Sequence, residues 1–277
     1  MPYVCDSAAA GYRRRVRALS GFGGQPNGPS PNVSVWTIPS RKAGPLVSAP
    51  PLRQNLRFDA DGVEIYGYLA LPESGTGPGV IVIQEWWGLT DQIAEVTDQF
   101  AAAGYVALAP DLYGGRTTHD SDDAARLASE LPMGTAVREL VGAVDYLRGH
   151  EAVRGDAVGA VGFCMGGGFV LALAAEAGEK IAAAVPFYGV VSDDEVDFTN
   201  LRADVLGHYG ELDENATPQR AEEIAARIRS ESGAKVTIER YAAGHAFANE
   251  ENHLGTYDPE ATRLAWERTL AFLGERL

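Results

Sequence analysis

The sequence predicts an α/β domain: a mostly parallel central sheet with helices on both faces, preceded by an N-terminal antiparallel hairpin. Two observations lead to this fold class. From residue 80 onward, short continuous apolar runs alternate with segments of helical spacing. Before them, two segments of alternating polar and apolar residues flank a turn dipeptide. No internal repeat and no second composition boundary follows, so one domain is expected over residues 53–277.

The hairpin is predicted from residues 56–60 and 63–71, which alternate around Asp61-Gly62. Asp-Gly is a favoured two-residue connection between antiparallel strands. The first apolar run after the hairpin covers residues 80–83. Its length and its lack of polar positions indicate a strand buried on both faces of the sheet.

Strands and helices then alternate to the C terminus. Buried strands are predicted at residues 80–83, 105–109 and 157–163, and further strands at residues 181–188, 205–209 and 236–241. Helices are predicted at residues 91–103, 122–131, 135–148, 166–177, 218–230 and 259–277. The last two helices have the clearest starts, because Thr217-Pro218 and Asp258-Pro259 each pair a capping side chain with proline at the first helical position.

Residues 1–52 differ from the rest of the chain. Closely spaced glycine and proline residues leave no helical or strand period there, so we expect a flexible N-terminal extension. The segment is basic and has neither an apolar core typical of a secretory signal nor a clear amphipathic helix. A targeting role for it stays open.

The charge balance excludes some classes of partner. The chain has 23 basic and 38 acidic residues, a net charge of −15. Six of the basic residues and one of the acidic residues lie in residues 1–50, which leaves a net charge of −20 for residues 51–277. Nucleic acid and anionic membrane surfaces both need clustered cations, so neither is expected as a partner.

The two cysteines, Cys5 and Cys164, lie in an irregular segment and in a motif respectively. A disulfide framework is therefore not expected, and a reducing cytoplasm is the predicted location. No run of about 18 apolar residues indicates a membrane span. The sequence shows no dinucleotide or phosphate fingerprint and no metal-ligand spacing, so we expect no cofactor and no metal.

One short motif has the pattern of a nucleophile elbow, G-x-S-x-G, with cysteine in the place of serine: Gly162-Phe163-Cys164-Met165-Gly166-Gly167. It lies between a predicted buried strand and a predicted helix, which is the context that the α/β-hydrolase fold requires. The following helix directs its first N–H groups toward the sulfur and so favours a thiolate. The alternative is a small residue in a glycine-rich turn.

A thiol nucleophile needs a base, and the base needs an acid to orient it. In α/β-hydrolases these follow the nucleophile in the order acid, histidine. Asp213 and His245 have this order, and each follows a predicted strand. Glu211 and Glu214 are alternative acids near Asp213. Of the other histidines, we expect His208, in the middle of a strand, to be a core residue.

Together with further segments, these motifs resemble the dienelactone hydrolase (carboxymethylenebutenolidase) family from about residue 56 to residue 277. The segments that carry the resemblance are Val82-Ile83-Gln84-Glu85-Trp86-Trp87-Gly88, Ala109-Pro110-Asp111-Leu112-Tyr113, the cysteine motif, Tyr188-Gly189 and Ala243-Gly244-His245-Ala246-Phe247. The resemblance implies an α/β-hydrolase fold and hydrolysis of a lactone or small ester, of the type that converts dienelactone to maleylacetate.

The resemblance also implies roles for further residues. Glu85 corresponds to a glutamate that accepts the thiol proton when substrate arrives. The backbone N–H groups of Trp86 and Met165 correspond to the oxyanion hole. Arg116 corresponds to an arginine that holds the substrate carboxylate and pairs with the glutamate at rest, and Tyr188 is expected to line the pocket. As alternatives, Arg116 is an exposed loop residue and Tyr188 a plain core residue.

The chain departs from the family pattern after His245, where the best-known members carry a second arginine and this sequence reads Ala246-Phe247-Ala248-Asn249-Glu250. This departure weakens the case for dienelactone itself as the substrate.

We expect acyl transfer to Cys164 and then hydrolysis of the thioester, with His245 as general base and acid. A broad carboxylesterase or thioesterase is the alternative. A non-catalytic ligand-binding protein is disfavoured because Cys164, Asp213 and His245 are all present. The expected partner is a small ester or lactone, and the expected state is a monomer or small homo-oligomer.

Overall fold

A computed structural model describes residues 54–60 and 62–277. The predicted N-terminal extension, and Asp61 of the predicted turn, lie outside these residues. The described chain forms one eight-stranded sheet in the order β1-β2-β4-β3-β5-β6-β7-β8. Its strands are β1 (Leu56–Ala60), β2 (Val63–Ala70), β3 (Gly79–Ile83), β4 (Val106–Pro110), β5 (Val158–Phe163), β6 (Ile181–Phe187), β7 (Asp204–Gly210) and β8 (Val236–Tyr241).

The strand directions agree with the prediction from the sequence. Strand β1 pairs antiparallel with β2, with Leu56 opposite Gly67, and β2 pairs antiparallel with β4. All the remaining pairings are parallel. The expected antiparallel hairpin and mostly parallel sheet are therefore confirmed. Strand β5, which leads into the cysteine motif, lies in the middle of the sheet between β3 and β6.

Residues 54–60 and 62–277 contain six α-helices: α1 (Asp91–Ala102), α2 (Ser121–Ser129), α3 (Met133–Arg148), α4 (Met165–Ala177), α5 (Pro218–Ser232) and α6 (Pro259–Gly274). The predicted caps are present. The Thr217 side chain accepts from the backbone N–H of Arg220 at 3.2 Å, and Asp258 caps α6 in the same way. Each cap satisfies N–H groups that have no partner in the first turn of a helix.

The helices cover the sheet on both faces and bury an apolar layer against each. Helices α2 to α5 contribute mainly to one layer, and α1 and α6 contribute to the other. Strands β3, β4 and β5 are buried at every position, as expected for parallel strands covered on two sides. Helix α4 is itself almost wholly buried, which fixes the position of the residue that precedes it. Within the described residues, none of the helices is both long and apolar enough to cross a membrane.

Candidate active site

Cys164 occupies a sharp turn between β5 and α4. Its backbone angles are φ 54° and ψ −115°, a conformation that a residue with a side chain rarely adopts. The neighbouring glycines make this turn possible. A Cβ on Gly162 would lie 2.3 Å from the backbone oxygen of Gly166, and a Cβ on Gly166 would lie 2.4 Å from the backbone oxygen of Gln84. The glycines of the motif are therefore required by close backbone approach.

Three side chains from separate loops meet at the carboxyl edge of the sheet. His245 Nδ1 lies 2.7 Å from Asp213 Oδ2, and His245 Nε2 lies 3.1 Å from Cys164 Sγ. Cys164 follows β5, Asp213 follows β7 and His245 follows β8. Because the carboxyl ends of parallel strands converge at one edge, residues far apart in sequence come into hydrogen-bond contact there.

The electrostatics of these groups favour an ionised acid and a strongly basic histidine. Burial alone would raise the pKa of Asp213, but hydrogen bonds from His245 and from the backbone N–H groups of Ala216 and Asn215 lower it below its ordinary value. Burial alone would lower the pKa of His245. The interactions of the ring with Cys164 and with the hydrogen-bonded Asp213 carboxylate outweigh this effect and raise the pKa of His245 well above its ordinary value.

Glu85 lies in the wall of the same cavity and is 2% exposed. Its carboxylate accepts from Asn249 Nδ2 at 2.5 Å and from Tyr188 Oη at 3.3 Å. Burial raises the pKa of Glu85, and the hydrogen bond from Asn249 opposes this rise without cancelling it. The site therefore holds a buried carboxyl group, suited to proton exchange, beside the cysteine–histidine pair.

A cavity of about 780 Å³ opens over these groups, and Cys164, Glu85 and His245 all line it. Trp86 and Trp87 form one part of its wall, and the loop between β8 and α6 forms another. Among the described residues that line it there is no lysine and no arginine, whereas the lining residues include three acids: Glu85, Glu214 and Asp258. The charge of the wall disfavours an anionic ligand.

Of the other predicted site residues, Met165 and Trp86 lie at the site, whereas Tyr188 lies outside the cavity wall. Met165 is the first residue of α4, where an N–H has no partner within the helix, and Trp86 lies in the turn that the Gly88 N–H closes by donating to the Glu85 carbonyl. Tyr188 is 1% exposed and does not line the cavity. Its ring packs edge-on against His245, so it lies behind the site.

Arg116 does not pair with Glu85, contrary to what the family resemblance implies. Its guanidinium donates to Glu130 at 2.8 Å and to the Tyr113 carbonyl at 3.1 Å, and it is absent from the cavity wall. Helix α2 carries Glu130 at its C-terminal cap, directly beside the loop that holds Arg116. The amide of Asn249, rather than a cation, donates to Glu85, and no sequence motif indicated this contact.

Two further histidine environments bear on the sequence predictions. His208 is a satisfied core residue, as predicted: it is fully buried and contacts Tyr241 Oη at 2.8 Å and Thr269 Oγ1 at 3.0 Å. The sequence spacing predicted no metal cluster, yet one group of potential ligands converges in space. His119, Glu251 and His253 bring three ligand atoms within 4.8 Å of one another. Spacing along the chain does not reveal such a group, because two distant loops form it.

The sheet topology, with Cys164, Asp213 and His245 in contact at the carboxyl edge of the strands, defines the class: this is an α/β-hydrolase fold. Residues 65–277 match the model of the dienelactone hydrolase family. The chain belongs to the dienelactone hydrolase family, a family of carboxylic-ester hydrolases.

Relatives of known sequence and structure cover most of the chain. Protein usf of Aquifex pyrophilus is 36% identical over 231 residues, 81% of this chain and 99% of that protein. The carboxymethylenebutenolidase of Pseudomonas sp. (strain P51) is 31% identical over 233 residues, 80% of this chain and 95% of that enzyme. The structure of the dienelactone hydrolase-like promiscuous phosphotriesterase P91, from metagenomic libraries, has a TM-score of 0.73 at 25% identity and covers 81% of this chain and 97% of that chain.

Proposed function

We propose that this protein hydrolyses a lactone or a small ester through a thioester formed on Cys164. The observation that carries the proposal is the chain of contacts from Asp213 through His245 to Cys164, at 2.7 and 3.1 Å, in the wall of a cavity large enough for a small molecule. Thiol, base and orienting acid are the three parts that nucleophilic acyl transfer requires.

In the first half-reaction, His245 Nε2 accepts the thiol proton and Cys164 Sγ attacks the carbonyl carbon. The carbonyl oxygen becomes an oxyanion, for which the backbone N–H groups of Met165 and Trp86 are the proposed donors. Collapse of the tetrahedral intermediate breaks the carbon–oxygen ester bond. The departing alkoxide takes the proton from His245, and the acyl group stays on sulfur as a thioester.

In the second half-reaction, His245 Nε2 accepts a proton from water while the water oxygen attacks the thioester carbon. The carbon–sulfur bond breaks, the carboxylic acid is released, and the proton returns from His245 to sulfur. Asp213 keeps the Nδ1 hydrogen of His245 directed at its carboxylate throughout, so that Nε2 faces the reacting atoms.

Glu85 is the proposed second proton acceptor for the thiol. Its carboxylate lies in the wall that Cys164 also lines, and its environment contains hydrogen-bond donors but no described guanidinium. A buried carboxylate that is not neutralised by a cation has a raised pKa and accepts a proton readily. This supports a role in generating the thiolate when substrate enters.

The charges of the cavity wall favour a substrate whose portion inside the cavity is uncharged. Dienelactone carries a carboxylate, whereas the described wall has three acids and no basic residue other than histidine. Arg116, the proposed carboxylate clamp, is engaged by Glu130. These charges favour a second candidate, a broad carboxylesterase that acts on neutral esters or thioesters by the same mechanism.

The test compares cis- and trans-dienelactone with p-nitrophenyl acetate, using the wild type, Cys164→Ala and the matched control Cys5→Ala. Loss of all turnover in Cys164→Ala, with Cys5→Ala unchanged, supports the mechanism. Dienelactone turnover identifies the lactone as a substrate, and turnover of the acetate alone favours the carboxylesterase. Full activity of Cys164→Ala on every substrate contradicts the proposal.

A further inference from the structure

We infer that His119, Glu251 and His253 form a binding site for a divalent transition-metal ion, with zinc as the best match, at the mouth of the active-site cavity. One ligand atom from each side chain lies within 4.8 Å of the other two. His119 belongs to the loop between β4 and α2, and the other two residues belong to the loop between β8 and α6.

The three groups have too few N–H hydrogens to form a separate hydrogen bond at each of their close contacts. His253 Nε2 lies 2.8 Å from His119 Nδ1 and 3.0 Å from Glu251 Oε2. An imidazole nitrogen carries either one hydrogen or one lone pair, so His253 Nε2 cannot form separate hydrogen bonds to both. If it donates one hydrogen, two acceptors share it. A metal ion accepts all three lone pairs at once and removes this conflict.

Two of the three distances between ligand atoms are close to those of a zinc site, and the third is no more than 4.8 Å. With zinc–nitrogen and zinc–oxygen distances of about 2.0 to 2.2 Å, tetrahedral ligand atoms lie roughly 3.3 Å apart. The two nitrogens at 2.8 Å, and the nitrogen and oxygen at 3.0 Å, would need to separate by only a few tenths of an ångström. Two imidazoles and one carboxylate are a donor set typical of zinc, whereas calcium and magnesium prefer oxygen ligands.

The position of the site links it to the active-site wall. His253 lines the cavity, and its ring packs edge-on against Trp87 with 5.5 Å between centroids. The loop that carries His253 also supplies residues 252–258 of the wall. An ion held jointly with His119 would fasten this loop to the β4–α2 loop and add positive charge to a wall in which no lysine or arginine is described.

The experiment uses the full-length, untagged chain carrying Cys5→Ala and Cys164→Ala, so that no thiol competes for metal. Co²⁺ is titrated by visible absorbance and Zn²⁺ by calorimetry. The expected result is one ion per chain and a rise in Tm with Zn²⁺. Removal of an outer-shell partner alone typically weakens metal binding 10- to 100-fold, so loss of a ligand in His119→Ala is expected to weaken it by about 100-fold or more.

The matched control is His150→Ala, which removes a histidine whose Nδ1 accepts only from the nearby Ala152 N–H among the described contacts and should leave metal binding unchanged. Circular dichroism and Tm in EDTA establish that each variant is folded. The inference is wrong if the parent protein binds no ion and gains no Tm with Zn²⁺. It is also wrong if folded His119→Ala and His253→Ala variants bind as tightly as the parent.

Discussion

Asn249 Nδ2 donates to Glu85 Oε2 at 2.5 Å across 164 residues of sequence, and both side chains are buried. The amide solvates the carboxylate without neutralising it, because an amide carries no net charge. Tyr188 Oη supplies a second donor at 3.3 Å. Burial raises the pKa of Glu85, whereas the hydrogen bond from Asn249, the charge of His245 and the hydrogen bond from Tyr188 lower it.

Replacing Asn249 is expected to shift the pH dependence of catalysis. In Asn249→Ala the Glu85 carboxylate loses a donor that lowers its pKa, so the pKa rises further and the group stays protonated to a higher pH. If ionised Glu85 accepts the thiol proton, the acidic limb of the kcat/KM profile for p-nitrophenyl acetate moves up by about one to two pH units. Asn200→Ala, which removes an amide bonded to the Ala175 carbonyl, should leave the limb in place. An unchanged limb in Asn249→Ala would argue against this role for Glu85.

Replacing Asp213 tests which acid orients His245. In Asp213→Asn the amide presents no carboxylate to His245 Nδ1, so the ring loses both its tautomer control and the stabilisation of its protonated form. We expect the acylation rate constant to fall by about 10²- to 10⁴-fold, measured in single-turnover reactions with p-nitrophenyl acetate. Glu211 is exposed, and Glu211→Gln should retain wild-type acylation. Equal losses in both variants would contradict the assignment of Asp213.

The sequence alone predicted the parts of the molecule in which local pattern and backbone chemistry agree. Strands β3, β4 and β5 are recognisable as apolar runs because both of their faces are buried. The caps of α5 and α6 could be placed because Thr217 and Asp258 each precede a proline. Residues placed at strand ends, such as Asp213 and His245, meet because parallel strands converge at one edge of the sheet.

Contacts between loops could not be predicted in this way. No local pattern indicates that Asn249 reaches Glu85, or that Arg116 turns to Glu130 instead of the cavity. Whether His119 and His253 meet depends on the conformation of two loops that carry no periodic signal. Motifs shared with a family predict which residues lie at the site, but they do not predict the hydrogen-bond partners of those residues where the surrounding sequence differs.

Adding one methyl group to the elbow is expected to disrupt the site. In Gly166→Ala the new Cβ would lie 2.4 Å from the Gln84 backbone oxygen and 2.5 Å from that of Ile83, and neither backbone atom can move without displacing β3. We expect the free energy of unfolding, measured by urea unfolding, to fall by several kcal/mol. A larger loss would prevent expression of soluble protein. In Gly134→Ala the new Cβ, in the first turn of α3, meets only Arg138 Nη1, at an ordinary van der Waals distance of 3.8 Å, so this variant should be neutral or stabilising by about 0.5 to 1 kcal/mol. Wild-type stability of Gly166→Ala would show that the strand–helix contact is looser than described.

Buried His208 makes stability depend on pH. Burial, with a smaller contribution from the charge of Arg268, lowers the pKa of His208 to about 3 in the folded state, against about 6.5 in the unfolded chain. Because the folded pKa is the lower one, the unfolded state binds more protons, and stability falls as pH drops from about 6.5 toward 3. This group alone should remove about 1.4 kcal/mol from the free energy of unfolding between pH 7.5 and pH 5.5.

In His208→Gln the decline over the same range should be smaller by that amount, measured by urea unfolding at both pH values, even if the variant is less stable throughout. Parallel declines in the two proteins would mean that the pKa of His208 is the same in the folded and unfolded states, in conflict with its burial and its contacts to Tyr241 and Thr269.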